Sequence, residues 1–261
     1  MKALIKQELR LTRKVLLAWV GIVLIMGLFC YWEYLSLKNY IGEFTLLVDR
    51  FPAILRIMFG VTIDLTTVLG WYCCIYYWNA IIVFSYAVYL GLSSVAGEKI
   101  RGTSEYLFTK PVRRDQIVLA KIAANFCNLF IITVICGLCN YFTAVVPLGG
   151  LEQKSAIFTT TAGLFLTEVI LYALSLGISG LAASYSRAVQ LGAGMLIGFY
   201  CIYFVAELLK NSVLYFLTPI KYFDVCVVAV EGISIIFLLI GAVIATASIA
   251  IAIRKWSVKE L

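Results

Sequence analysis

Histidine is absent from all 261 residues, and charged side chains make up only 13% of them. Without imidazole the chain lacks the commonest metal ligand and the usual general base near neutral pH. A water-soluble domain carries roughly 25% charged residues. With 63% hydrophobic residues here, folding in water would leave large exposed apolar patches, so the bilayer is the expected solvent. The sequence has no GxxxxGK(S/T) phosphate loop, so ATP binding by that route is excluded. HExxH, GxSxG and paired-acid constellations are missing too, and no catalytic or metal-ligating set is assigned. There is no internal repeat, low-complexity tract or soluble linker, and no proline marks a break at the middle of an apolar run.

What is present is a series of apolar runs at about 15–35, 73–96, 122–146, 157–181, 190–207 and 225–253. Each is close to the roughly 20 residues that cross a hydrocarbon core. Backbone in lipid must satisfy its own hydrogen bonds, and the alternation of a barrel is absent, so the runs are expected to be helices. The expectation is an all-α, polytopic membrane protein of six transmembrane helices, forming one domain over residues 1–261. The first run follows five basic residues, as in a signal peptide, but it is too long and lacks a small-residue cleavage site.

Six spans place both termini on one side. That side carries fifteen Lys and Arg residues; the other has six, namely Lys38, Arg50, Arg56, Lys154, Lys210 and Lys221. The positive-inside rule makes the richer side cytoplasmic. Residues 2–14 mix Leu4, Ile5, Leu9 and Leu11 with basic residues, which reads as an amphipathic interfacial helix or as a plain basic flank. On the outer side, residues 36–72 are too long for a turn. Asp49 can cap a short helix with Pro52 in its first turn and Gly60 at its end, and Pro219 marks a shorter element, as extracellular half-helices. Trp71, Tyr72, Tyr76, Tyr77 and Trp78 suit an outer aromatic belt.

Eight cysteines fall mostly inside apolar runs, where a thiol behaves as a small hydrophobe. Cys136 and Cys139 have CxxC spacing but no second pair nearby, so a packed thiol pair is favoured over a metal or redox site. Glu168 stands near the middle of the fourth run, and Glu231 in the outer part of the sixth. An ionised carboxylate at the bilayer centre costs at least about 2.5–3.5 kcal/mol. These two are therefore candidates for a translocation path or a protomer interface, with a structural hydrogen bond as the alternative.

The one long charged stretch, 97–121, joins the second and third runs and is far longer than a reversal of direction needs. Gly102 can end a helix and Thr103 start another; Tyr106, Leu107 and Phe108 offer an apolar anchor, and Pro111 closes the element. It reads as a docking surface for a soluble partner or as a solvated connector. From Gly97 to Lys121 the pattern is GE-x-x-R-G-T-x-E-x-L-x-x-x-P-V-x-R-x-x-I-x-x-x-K. It resembles the permease subunits of ABC-2 type (type V) ABC transporters. The outer segment Phe51 to Val61 and the six-run layout are similar as well.

The resemblance implies that the loop forms a cytoplasmic coupling helix seated in a cytosolic ATPase. Glu98, Arg101, Gly102, Thr103, Glu105, Leu107, Pro111, Val112 and Arg114 take the matching positions, and Tyr106 and Phe108 flank the anchor. Arg113 stands where the family often has Ser or Thr, so Asp115 is the candidate cap for the next helix. The implied protein is a non-catalytic permease of the bacterial plasma membrane, working as a dimer of identical or related protomers. ATP and Mg belong to the partner ATPase, this chain holds no cofactor, and nucleic acid is no partner. Export of an amphipathic or lipid-like compound, such as an antimicrobial peptide or drug, fits the family. The alternatives are a self-sufficient secondary transporter or channel using Glu168, and a non-transporting assembly or sensor subunit.

Overall fold

A computed structural model describes residues 2–101, 114–146 and 154–258. The described chain is all-α, with no strand among those residues. In order, the helices are α1 (Lys2–Leu37), α2 (Ile41–Val48), α3 (Ala53–Met58), α4 (Val68–Arg101) and α5 (Arg114–Asn140), which widens into a π turn at Tyr141–Val145. They continue as α6 (Lys154–Leu181), α7 (Tyr185–Leu209), α8 (Ser212–Tyr215), α9 (Pro219–Tyr222), α10 (Val225–Glu231) and α11 (Ile235–Val258). Six of them (α1, α4, α5, α6, α7 and α11) are long and apolar enough to cross a bilayer.

Three elements differ from the expectation. Residues 2–14 and 15–35 are not separate: α1 runs unbroken for 36 residues, about 54 Å at 1.5 Å per residue. Its first half has no Gly or Pro and is rich in Lys, Leu, Arg and Ala, all good helix formers, so nothing stops propagation. That length exceeds a hydrocarbon core of about 30 Å, which puts the basic first turns beyond it. The run 225–253 is two helices. Asp224 caps α10 by accepting from the Cys226 amide at 3.0 Å, and Gly232, at φ 81°, ends it in a conformation that side-chained residues avoid. Asp49 ends α2 instead of opening α3, whose N-cap is Pro52; the Asp49 carboxylate meets Arg56 at 3.1 Å.

The pairings set the directions of the helices. Tyr72 meets Thr160 and Ser179 meets the Leu92 carbonyl, so α4 and α6 run side by side in the same sense. Asn79 meets Asn140 and Ser94 meets Asn125, so α5 runs against α4. Thr12 meets Asn128 and Glu8 meets Lys121, so α1 follows α5. In α4 and α6, 61% and 67% of the apolar stretch is buried, against 17% in each of α1, α7 and α11. The core therefore lies along the α4–α6 seam. α5 and α1 lie to one side of it, α11 is packed on α6, and α7 is on α4.

Small residues bring these helices close, where lipid gives no hydrophobic drive for association. Gly177 and Gly180 face Ser248 and Ala252 of α11, and a Cβ on Gly180 would lie 3.1 Å from the Ala252 Cα. At the α4–α6 seam, a Cβ on Gly91 would run into the Ser175 side chain and sit 2.6 Å from the Tyr172 carbonyl oxygen. Gly91→Val is thus expected to destabilise the protein by at least about 1–3 kcal/mol, the usual cost of overpacking. Gly198→Val, with nothing within 4 Å of its added Cβ, should melt in detergent near wild type. Equal melting of the two variants would contradict the seam.

Candidate functional site

Of the candidate coupling residues, Gly102, Thr103, Glu105, Tyr106, Leu107, Phe108, Pro111 and Val112 lie outside the described residues. Glu98 and Arg101 fall in the last turn of α4, and Arg114 opens α5. The two helices thus deliver the loop at one end of the bundle. The Glu8–Lys121 pair at 3.2 Å draws the start of α1 to the same end. Ser184 joins it there, its hydroxyl accepting from the Arg187 amide at 3.3 Å to start α7. The fold so collects the basic start of α1, the end of α4, the start of α5 and Arg187 on one side, as the antiparallel order of α4 and α5 requires.

From that end a ladder of polar side chains climbs through the bundle. Asn128 donates to the Thr12 hydroxyl at 2.9 Å, and Asn125 donates to Ser94 at 2.7 Å and to the Tyr172 hydroxyl at 3.3 Å. At mid-height Thr133 donates to Glu168 Oε1 at 2.8 Å. Above it the Asn79 side-chain amide donates to Asn140 Oδ1 at 2.7 Å. At the top Tyr72 shares a 2.7 Å bond with the Thr160 hydroxyl, and Tyr76 donates to the Thr160 carbonyl at 3.1 Å. Hydrocarbon offers no substitute partner, so each rung must be made inside the protein. The ladder still has open valences: Asn79 Oδ1, the Tyr86 hydroxyl and Glu168 Oε2 are buried without a hydrogen-bond partner.

Glu168 is fully enclosed, whereas Glu231 is exposed at the end of α10, so the two carboxylates share no site. Trp71, Tyr72 and Tyr76 are buried, not an outward belt, because their first turns of α4 pack against α1 and α6. Cys136 and Cys139 are buried as well: Asn140 reaches the Cys136 sulfur at 3.8 Å, and Cys139 lies 3.9 Å from the Val23 carbonyl. Among the described residues no cluster of three His, Cys, Asp or Glu could hold a metal. The ladder was not anticipated from the sequence. Its signal was present in α5, where Asn125, Asn128, Thr133 and Asn140 recur at three to seven residues in an otherwise apolar run.

At the opposite end, Lys221 is buried between two carboxylates, 2.6 Å from Glu207 and 2.9 Å from Asp224. Its ammonium also lies 5.5 Å and 5.2 Å from the ring centres of Tyr203 and Tyr215. The cluster ties the end of α7 to the turn before α10. Burial alone lowers the Lys221 pKa, but the Asp224 charge and the bonds to Glu207 and Asp224 outweigh it and raise the value above the ordinary range.

A family profile described as ABC-2 family transporter protein matches residues 3–252. No curated protein matches the chain.

The Lys221 cluster carries a pH dependence of definite sign. Its folded-state value lies above the unfolded one of about 10.4, so the stabilisation is whole at neutral pH and is lost as pH rises through the folded-state value. Lys221→Met leaves Glu207 and Asp224 without their cation and should cost about 3–5 kcal/mol. Melting in detergent from neutral to strongly alkaline pH should show a loss in the wild type that the variant lacks. A variant as stable as the wild type at neutral pH would refute the clamp.

Proposed function

The chain belongs to the ABC-2 family of transporter proteins, and on that premise we propose that it is the membrane-spanning permease subunit of an ATP-driven exporter. It is a multi-pass membrane protein and a transport subunit in kind, not a catalytic enzyme. The observation that carries the finer reading is the loop 97–121. A charged, Gly- and Pro-punctuated segment with an apolar centre joins two long helices that meet at the basic end. A cytosolic ATPase holding ATP and Mg grips that segment. Closure of two such ATPases then shifts the attached helices, a two-state change biased by nucleotide. The basic end faces the bacterial cytoplasm, with both termini there.

Exposed apolar faces support a second protomer. Ile25, Leu28, Phe29 and Trp32 on α1, Ile197 on α7 and Val243 on α11 are all more than 60% exposed. Part of this apolar surface meets lipid, and part meets a second permease of the same or a related sequence, with the path between the two. An amphipathic or lipid-like cargo, such as an antimicrobial peptide or drug, suits such walls. Glu231, exposed at the end of α10, is the carboxylate positioned to meet a cargo or a second chain. Glu168 has no surface to offer either and acts as a strut between α5 and α6.

Co-expression with its ATPase tests the assignment. Leu107→Glu and Glu105→Lys should abolish copurification of the ATPase while leaving the permease folded. Cargo moved by this chain alone, with no ATPase present, would overturn the proposal. Glu168→Gln keeps an oxygen for the Thr133 hydroxyl and should leave assembly and transport near wild type. Loss of transport in a well-assembled complex would instead return Glu168 to the path.

A further inference from the structure

At the end of the bundle opposite the loop, α2 and α3 roof a pocket of about 200 Å³ over the last turns of α1 and the first turns of α4. Its walls are mostly apolar, with the aromatic rings of Phe44, Phe59, Trp71 and Trp78 among them, but they also carry one acid, Glu33, and one base, Arg56. Two donors on these walls have no acceptor. Trp71 is 3% exposed, and its indole N–H is unpartnered. The Arg56 Nε is buried and unpartnered as well, although its terminal nitrogen reaches Asp49 at 3.1 Å. Buried N–H groups rarely stay unpaired, because each costs about 1–3 kcal/mol. Here two of them, from α3 and α4, line one cavity.

We infer that this pocket binds the phosphoethanolamine headgroup of a membrane lipid. The phosphate oxygens accept from the Trp71 indole and the Arg56 guanidinium, which completes both donors. The ammonium lies against Glu33 and the aromatic walls, where a cation is held by charge and by ring faces. A plain anion is disfavoured, because Glu33 faces it and Asp49 already engages Arg56. Size agrees. About 200 Å³ falls below the roughly 300–1,000 Å³ of pockets that take a drug-sized ligand and suits a short headgroup. The roof explains why the source is lipid: Leu46, Leu47, Phe51 and Met58 expose apolar side chains around the pocket, a surface on which acyl chains can lie.

The site is independent of the ATPase, and its test uses the full-length permease in detergent. The protein is delipidated, then incubated with equal amounts of phosphatidylethanolamine, phosphatidylglycerol and phosphatidylcholine, and retained lipid is read by native mass spectrometry. The wild type should retain phosphatidylethanolamine about tenfold over phosphatidylglycerol, the worth of one charge-assisted hydrogen bond. Glu33→Gln should erase that preference while still binding lipid. Arg56→Gln and Trp71→Phe should each lower retention of phosphatidylethanolamine about tenfold; Arg56 is partly exposed, so its variant should fold even if the Trp71 variant does not. Arg187→Gln, exposed at the opposite end of the bundle, serves as an unaffected control. Equal retention of all three lipids, or unchanged retention in Arg56→Gln, overturns the proposal. Free phosphoethanolamine binding as tightly as the lipid also overturns it, since the occupant would then be a soluble zwitterion.

Discussion

The bond from Thr133 to Glu168, 2.8 Å long inside a fully closed seam, shows the constraint that shapes this molecule. Hydrocarbon supplies no hydrogen-bond partners, so polar side chains carried on a span look for them within the protein, on their own helix or on a neighbour. Asn125, Asn128, Asn140 and Thr160 obey the same rule at other heights. Because each rung joins two helices at one level, the ladder fixes their register as well as their association. Close packing at Gly91 and Gly180 then brings the backbones near enough for the short side chains to reach. α1, α4, α5 and α6 are linked rung by rung, while α7 and α11 are held mainly by packing on the same seam.

The two ends of this unit differ in their physics. At the loop end the charges are numerous and mostly basic, with Glu8 paired to Lys121 among them, as suits an anionic membrane face. At the other end acids and bases are mixed, and several are specifically placed. Lys221 is sealed between Glu207 and Asp224, and Arg56 is shared between Asp49 and an aromatic pocket. Short helices roof that end, and α10 enters only part-way before Gly232 turns the chain into α11. Movement driven from the loop end would reach the roof through α4, which begins beneath the pocket and ends at the loop.

Composition, run length and the placement of lysine and arginine were sufficient to read an all-α membrane protein of six long helices, and the loop pattern pointed to the ABC-2 family. Those properties are written locally: an apolar stretch of about 20 residues has few alternatives to a helix in lipid. Only the tertiary structure decided which face of each helix turns inward. Trp71 and Tyr76 read as belt residues because aromatic composition does not say what packs beside it, and they proved to be interior. Glu168 and Glu231 looked alike in the sequence; one is enclosed and the other exposed, because burial depends on the neighbouring helices and not on the residue. The meeting of Trp71 with Arg56 in one cavity is of the same kind. It arises from contacts between segments far apart in the chain, which no local pattern encodes.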